Sequence, residues 1–438
     1  MRDGFDTSRS RAPRVTRRQF IDTIAATGGL GILFGRPGRQ APAFAQRREV
    51  SMLTWNHFVP ASDERLKELA AAFSKQHNVS LRVDTIAHLQ LPAKWAAEVQ
   101  TKAGHDLVFT YSDAPYLYEQ YLVPMDDVVH EIERKYGGFY PFAKEASFVN
   151  GTWRALPWMW ISFPGTYNQT LFKQYGQPVP DTWEDLLAVG RELKRVGHPI
   201  GIAISHCDDA NTTFWSILWC HGGKILEADG KTIAINSPQT RQVLEYYRTL
   251  YHEAMDSEVL SWDDSSNNRC VLSGKCAWIH NPVSPYNTAL AKHMPVAQDL
   301  NHHSTLAGPA GRHFGPPIHQ MGIWNFSKHI EVAKDFLRFF YEEENYASWV
   351  TAGNGFNHTP VRFFETHPVW ANDPKLAILP KEGEYAHARG WPAPPNLSVV
   401  QIETAYILPD MVAKALQGAS PQEAIRWAEE QLARIVRS

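Results

Sequence analysis

The chain of 438 residues lacks the short motifs that mark several common classes of enzyme. It contains no Gly-x-Ser-x-Gly segment, the nucleophile signature of serine hydrolases, and no glycine-rich loop of the kind that cradles phosphate. His252 and Glu253 are not followed by a second histidine at the spacing of a zinc-protease helix. The sequence therefore gives no positive sign of catalysis.

Cysteine is scarce, with four residues at Cys207, Cys220, Cys270 and Cys276. None lies in a Cys-x-x-Cys pair, and their spacing does not match a structural zinc site. In an oxidising compartment four cysteines allow three disulfide connectivities. Buried free thiols are an equally consistent alternative.

The chain also lacks a large excess of one charge, because it contains 43 basic and 46 acidic residues. A global positive field for nucleic acid is thereby excluded. The length and the 44% hydrophobic content are sufficient for a large core and predict about two to three domains. Aromatic residues, in contrast, are abundant, with 15 Trp, 16 Tyr and 21 Phe. Flat rings suit ligands that have apolar faces, including sugars.

The first 45 residues have the composition of an export signal, with eight arginines and three aspartates. Residues 16–20 (TRRQF) match a twin-arginine motif, and the mild apolar run 20–34 is too short to span a membrane permanently. Residues 43–45 (AFA) form a small-x-small cleavage site. We predict export by the twin-arginine machinery, cleavage after Ala45 and a periplasmic mature protein; the alternative is a disordered basic tail.

Residues 151–168 (GTWRALPWMWISFPGTYN) crowd three tryptophans and two prolines into one stretch. The apolar run between Pro157 and Pro164 has the length of a strand, and prolines there indicate an edge or a strand that leaves one sheet for another. We predict the first crossing between two lobes here, with Trp158 and Trp160 near an interlobe cleft. The alternative is that both are core residues of a single lobe.

Alternating strand and helix patterns open the mature chain, with strands predicted at 50–55, 79–86 and 106–111. This β-α-β-α-β order is typical of a parallel sheet covered by helices, in which ligands meet the loops after the strands. The candidate ligand-binding residues are therefore those at the ends of the first and third strands: Trp55, Asn56, His57, Tyr111, Ser112 and Asp113. Local turns, a helix cap at Asp113 and core packing of the two rings are the alternatives.

A later strand is predicted at 199–205, and the loop after it carries Asp208 and Asp209. Such carboxylates can accept hydrogen bonds from ligand hydroxyls or compensate a cationic ligand. A solvated loop is the alternative for one of the two.

Four further residues are candidates because of their positions in the predicted topology. Asn281 follows a strand, Gln320 and Gly322 lie by a second crossing, and Gln401 lies near the start of the closing helices. Glycine would allow close backbone approach. A turn, relief of strand crowding and a helix cap are the respective alternatives.

Several short phrases occur in an order similar to that of a known family. They are DLV at 106–108, ALP at 155–157 followed by Tyr167 and Asn168, TWEDL at 182–186, the pair Gly222 and Gly223, LSGK at 272–275, and Ala333 with 336–339. Together they resemble the carbohydrate-binding, maltose-binding-protein-like solute-binding proteins of bacterial ABC importers. The resemblance covers about residues 48–438.

The resemblance implies an α/β, two-lobed periplasmic-binding-protein type II fold with an interlobe cleft that closes on its ligand by a hinge motion. Lobe 1 would comprise 48–157 and 318–365, lobe 2 would comprise 166–312 and 375–438, and the crossings would lie at 158–165, 313–317 and 366–374. It also implies a monomer that delivers a small carbohydrate to an ABC permease of the inner membrane. No cofactor, metal, nucleic acid or catalytic step is expected.

The chain departs from the family pattern at Trp278, at Gln401 and in the His- and Pro-rich segment 295–317. These departures leave two alternatives to a neutral sugar receptor. One is a receptor of the same fold for a cationic ligand, either a polyamine or a metal. The other is an exported glycoside hydrolase that uses two acids such as Asp113 and Asp209, which must lie about 5–10 Å apart.

Overall fold

Two β-sheets of different size organise the structure, a computed structural model that describes residues 48–112 and 114–436. The predicted export signal at 1–45 and the candidate Asp113 lie outside the described residues. Residues Arg47–Ser438 form one compact unit, which contains both sheets. Within the described ranges, no helix combines the length and apolar character needed to cross a membrane.

The strands are numbered in chain order. They are β1 Glu49–Trp55, β2 Ser80–Ile86, β3 Leu107–Tyr111, β4 Phe148–Val149, β5 Thr152–Trp153, β6 Leu156–Trp160, β7 Gly165–Asn168, β8 Ile200–Gly201, β9 Trp278–His280, β10 Leu300–His303, β11 Ala307–Gly308, β12 Gly311–Arg312 and β13 Ile318–Ile323.

The α-helices surround these strands. They are α1 Pro60–His77, α2 Leu91–Thr101, α3 Ala114–Leu117, α4 Asp126–Tyr136, α5 Pro141–Glu145, α6 Gln169–Gln174, α7 Trp183–Arg195, α8 Asp208–Cys220, α9 Pro238–Ala254, α10 Ser266–Leu272, α11 Ser284–Ala291, α12 Val296–Asp299, α13 Ile330–Phe340, α14 Glu343–Gly353, α15 Val369–Asn372, α16 Leu397–Thr404, α17 Ile407–Leu416 and α18 Pro421–Val436. Short 3-10 turns occupy His88–Gln90, Glu119–Tyr121, Ser257–Ser261, Arg362–Thr366 and Leu379–Glu384.

The larger sheet has five strands in the order β2-β1-β3-β13-β6. Its first three strands are parallel, as the alternating pattern predicts, whereas β13 runs antiparallel to both β3 and β6. Every residue of β1 after Glu49 is buried, which is typical of a strand covered on both faces. The smaller sheet has the order β10-β7-β9-β8.

The chain passes between the sheets at the tryptophan-rich stretch. Strand β6 ends at Trp160 in the five-stranded sheet, and β7 begins at Gly165 in the four-stranded sheet. The chain returns between β10 and β13, so residues 304–317 contain the second passage. The lobe limits and hinge segments given above stay predictions.

Trp158 and Trp160 lie in the packed core, where each is 1% exposed. The ring of Trp158 stacks on Phe340 with centroids 3.6 Å apart. The Trp160 indole donates a hydrogen bond to the carbonyl of Thr359 at 2.8 Å, and its ring lies 4.2 Å from that of His358. The core alternative therefore describes both side chains, because ring packing and a backbone acceptor already satisfy them.

Helical periodicity predicts one continuous helix over 331–346 and another over 402–416, and each is divided in the structure. The pattern over 331–346 becomes α13 and α14, and the break falls at Tyr341, whose carbonyl accepts a hydrogen bond from the Tyr136 hydroxyl at 2.7 Å. The pattern over 402–416 is interrupted at Tyr406, which has a φ of 52°. Helical periodicity does not reveal such interruptions, because contacts with distant segments determine where they fall.

The strand predicted at 199–205 is reduced to the two residues of β8, and the polar loop predicted after it begins helix α8 at Asp208. The preceding residue, Cys207, provides no side-chain cap. The N–H of Asp209 instead donates to Asp264 Oδ1 at 3.1 Å. The helix start depends on an acceptor 55 residues away, which local sequence cannot show.

Of the four cysteines, two form a disulfide and two are free thiols, so each alternative predicted from sequence describes one pair. Cys270 and Cys276 form a disulfide, whereas Cys207 and Cys220 are buried free thiols. The disulfide links α10 to the segment that leads into β9.

Candidate functional site

Two adjoining cavities lie between residues at the ends of the five-stranded sheet and residues of the α8 region. The larger has a volume of about 290 Å³ and the smaller about 30 Å³, and Asp208 borders both. The larger volume is at the lower end of the range for small-molecule pockets, so the space suits a small solute. We call this double cavity the cleft.

One side of the cleft is an aromatic wall, which consists of Trp55, His88, Tyr111 and His319. His88 stacks on Tyr111 with centroids 4.3 Å apart, and Trp55 lies 5.2 Å from His88 and 5.7 Å from His319. Burial lowers the pKa of His88 to about 4 and holds that of His319 well below its usual range. The wall is therefore uncharged at neutral pH.

Strand register brings the aromatic wall together. The parallel strands β1 and β3 end at Trp55 and Tyr111, so both rings emerge at the same edge of the sheet. Strand β13 enters at that edge in the opposite direction and pairs His319 with Tyr111. His88 follows the end of β2, the next strand outward.

The opposite side is an acidic wall, formed by Asp208, Asp209, Asp264 and Glu403. Arg389 lies behind it and is only 1% exposed. Its Nη1 donates to Asp208 Oδ1 at 2.7 Å and to Glu403 Oε1 at 2.8 Å, and its Nη2 donates to Asp208 Oδ2 at 3.1 Å. One guanidinium therefore compensates two carboxyl groups in a desolvated setting.

Asp209 and Asp264 form the second half of the acidic wall. Asn267 donates to Asp209 Oδ2 at 2.6 Å, and neither aspartate has an ion-pair partner within the described ranges. Burial and the neighbouring Asp208 raise the pKa of Asp264 to about 6, and burial with the nearby Asp264 raises the pKa of Asp209 well above its usual range. Two carboxyl groups this close in a dry site disfavour full ionisation of both.

Four buried polar atoms of cleft residues have no hydrogen-bond partner in the described part of the chain. They are Ser112 Oγ and Asn211 Oδ1 around the larger cavity, and Asp264 Oδ2 and His319 Nδ1 around the smaller. Buried polar atoms are nearly always hydrogen-bonded in proteins. These four atoms give the cleft unused hydrogen-bonding capacity.

Six of the residues predicted from sequence border the cleft: Trp55, Tyr111, Ser112, Asp208, Asp209 and Asn281. The amide of Asn281 is engaged in a side-chain network, because its Oδ1 accepts from Asn267 at 2.6 Å and its Nδ2 donates to Asn268 Oδ1 at 2.7 Å. It supports the position of Asp209 through Asn267.

Other predicted residues do not border either cavity, and their contacts explain their positions. His57 Nε2 lies 2.9 Å from Asn357 Oδ1, and its Nδ1 accepts from the Val59 N–H, which is the local turn alternative. Gln320 Nε2 donates to the carbonyl of Ser112 at 2.6 Å, so it positions a cleft residue from behind. A Cβ on Gly322 would lie 2.7 Å from Leu122 Cδ2, which agrees with relief of strand crowding.

Asn56 and Gln401 also lie outside the lining of the cleft. Asn56 is exposed just after β1, and its N–H donates to the carbonyl of Ile86. Gln401 is half-buried on α16, on the same helix as the lining residues Val400, Glu403 and Thr404. Trp158 and Trp160 are core residues, as described above.

Sequence reasoning missed five residues that line the cleft and the arginine behind it: His88, Asp264, His319, Glu403 and Tyr406, with Arg389. The strand-end rule could have found His88, because it follows the end of β2. Arg389 and Glu403 have no such signal, because Arg389 reaches Asp208 from 181 residues away and Glu403 joins the acidic wall through its contact with Arg389.

The cleft does not resemble a metal site. No group of three or more His, Cys, Asp or Glu side chains is arranged to hold a metal ion in the ranges that the structure describes.

A comparison with protein families decides the identity of the chain. The family model for bacterial extracellular solute-binding proteins matches residues 68–378. The chain belongs to this family. The family expectation drawn from sequence is confirmed, although no curated protein matches the sequence.

Solved structures of solute-binding proteins share the fold at low sequence identity. A solute-binding protein from Thermotoga lettingae TMO, bound with α-D-tagatose, is 20% identical with a TM-score of 0.78, over 89% of this chain and 100% of that one. Maltose-bound MalE3 of T. maritima is 18% identical with a TM-score of 0.76, over 88% and 99%. A protein from Agrobacterium radiobacter K84 in complex with ribitol is 21% identical with a TM-score of 0.75, over 89% and 98%. The two-lobed α/β fold predicted from sequence is thereby confirmed.

Proposed function

We propose that this solute-binding protein is the receptor of an ABC importer and captures a sugar or a similar polyhydroxylated small molecule in the cleft. The observation that carries the proposal is the pairing of an aromatic wall with a wall of carboxyl groups. Ring faces cover the apolar side of a sugar, and carboxylates and amides accept hydrogen bonds from its hydroxyls. The unpartnered Ser112 Oγ and Asn211 Oδ1 provide further polar contacts in the larger cavity.

The family and the fold support this proposal. The neighbours described above are bound with tagatose, maltose or ribitol, which are neutral polyhydroxylated molecules. In the proposed cycle, the lobes at 48–157 with 318–365 and at 166–312 with 375–438 close about the crossings at 158–165, 313–317 and 366–374. The closed form then delivers the solute to an inner-membrane permease.

The proposal includes export and the absence of turnover. The segment 1–45 would direct the protein through the twin-arginine machinery and be removed after Ala45, which leaves a periplasmic monomer. The acids of the cleft are engaged in binding and structure, because Asp208 and Glu403 share Arg389 and Asp209 accepts from Asn267. We therefore propose that the solute leaves chemically unchanged.

A thermal-shift screen of neutral sugars and polyols tests the proposal. At least one of them should raise the thermal midpoint, because a ligand that binds only the folded state stabilises it. Chromatography should recover that solute intact after prolonged incubation. The shift should disappear in Tyr111→Ala and persist in Tyr251→Ala, which removes a half-buried tyrosine of α9 outside the cleft. Consumption of the solute would contradict the proposal.

A further inference from the structure

The smaller cavity has room for one small polar group. Its volume of about 30 Å³ equals the share of one molecule in liquid water. Asp209 and Asp264 border it, and so do the rings of Trp55, Phe163 and Phe356. A group in this space therefore lies between carboxyl groups and ring systems, in contact with the solute site through Asp208.

Carboxyl groups outnumber cations around the cleft. Four of them border the two cavities, and neither lining includes a lysine or an arginine. Arg389 is committed to Asp208 and Glu403. The lowered pKa values of His88 and His319 keep both histidines neutral. The acidic wall therefore has more carboxyl groups than the one guanidinium of the described chain pairs with.

Asp264 has an acceptor that is not used. Asp264 is only 9% exposed, and its Oδ2 is one of the four unpartnered atoms described above. The nearby amide of Asn267 cannot serve it, because the two N–H groups of that amide donate to Asp209 Oδ2 and Asn281 Oδ1. Asp264 Oδ1 accepts from the Asp209 N–H, but a buried carboxylate oxygen without a donor is costly, so Oδ2 calls for a donor from the solute.

We infer that the solute carries a protonated amine beside its hydroxyls and that the ammonium group lies in the smaller cavity against Asp209 and Asp264. The inference rests on the proposed function and narrows its solute class to amino sugars and amino polyols. An ammonium supplies both the missing donor and the missing positive charge, whereas a hydroxyl supplies only the donor. The neighbouring rings also attract a cation. A metal ion does not suit the same space, because the described residues hold no metal-binding cluster.

Matched sets of probes test the inference. Each set contains a neutral compound, its amine and the N-acetylated amine: D-glucose, D-glucosamine and N-acetyl-D-glucosamine; the galactose series; and D-glucitol with 1-amino-1-deoxy-D-glucitol and its N-acetyl derivative. Dissociation constants are measured at pH 7.5 by calorimetry. The amine should bind at least about tenfold more tightly than both relatives in one set, as a charge-assisted hydrogen bond predicts.

Variants assign that preference to the smaller cavity. Asp264→Asn should reduce it to about twofold or less, whereas Asp263→Asn, a neighbouring surface aspartate that is paired with Arg269, should leave it unchanged. If Asp264→Asn does not fold, the pH dependence in the wild type replaces it. Affinity for the amine should fall below pH 6, because protons compete for the carboxylates, and affinity for the N-acetyl compound should not. The groups that face Asp264 in this titration are Cys207, Asp208, Asp209, Tyr111 and Tyr406, together with His88 and His319 across the cavity.

Each outcome separates the inference from the function on which it rests. Neutral probes that bind as tightly as their amines would overturn the ammonium site and leave the sugar receptor in place. An amine preference that survives Asp264→Asn would also overturn it. Binding of none of the probes, neutral or aminated, would contradict both proposals.

Discussion

The two walls of the cleft differ in how far the charges and hydrogen-bonding groups of each wall are compensated within the protein. The aromatic wall is uncharged, and its rings contact each other at 4.3–5.7 Å, with His88 stacked on Tyr111. The acidic wall contains four carboxyl groups, of which only Asp208 and Glu403 pair with a guanidinium, and it leaves Asp264 Oδ2 without a donor. In the proposed receptor, the aromatic wall would provide shape, and the acidic wall would provide chemical selectivity at some expense of stability.

The largest effect is expected from Arg389→Ala, which removes the cation behind the acidic wall. Asp208 and Glu403 would stay buried without their shared partner, so the free energy of unfolding should fall by about 3–5 kcal/mol and solute binding should be lost. Urea denaturation and calorimetry measure the two effects. Arg338→Ala is the control, because this arginine pairs with Asp127 and Glu131 on the surface and should cost less than about 1 kcal/mol. Equal losses of stability in the two variants would show that Arg389 contributes no more than a surface ion pair.

Trp158→Ala and Tyr111→Ala separate packing from binding on the side of the five-stranded sheet. Loss of the Trp158 ring, which stacks on Phe340, should reduce the free energy of unfolding by about 3 kcal/mol while affinity for the solute changes less than twofold. Tyr111→Ala should do the reverse, with a large loss of affinity and a smaller loss of stability. A large affinity loss in folded Trp158→Ala would mean that this ring contacts the solute.

The smallest effect is an increase in stability on Asp264→Asn. Because the pKa of Asp264 is raised from 3.8 to about 6, its stabilising contribution is present below pH 3.8 and is lost as pH rises through about 6. At pH 7.5 the unliganded variant should therefore be more stable than the wild type by about 1–2 kcal/mol, with part of the gain offset by burial of the amide. At pH 4 the difference should nearly vanish. Thermal denaturation at both values measures it, and a variant destabilised at pH 7.5 would show that the ionised carboxylate is satisfied internally.

The parts of the site that follow from local pattern were accessible from the sequence. Strand ends could be located at Trp55 and Tyr111, and the edge rule for parallel strands then places both at one ligand-facing edge. The strand predicted at 199–205 likewise directs attention to Asp208 and Asp209, although only Ile200–Gly201 forms a strand.

The remainder depends on contacts between distant segments. Asp264 caps α8 from another part of the chain, and Arg389 approaches Asp208 from 181 positions away. Trp158 and Trp160, in contrast, are predicted near the cleft but lie in the core. A cluster of rings at a chain crossing has the same composition whether it packs inward or borders a cleft. The partners Phe340 and His358, which settle their position, are far away in sequence.

A crystal structure of the protein with the first sugar, polyol or amino derivative that raises its thermal midpoint would examine both walls at once. We predict the solute in the cleft, with a ring or chain face against Trp55 or Tyr111 and a polar group within hydrogen-bond distance of Asp208 or Asp264. A solute bound elsewhere on the protein, or one found chemically altered in the cleft, would contradict the proposed receptor.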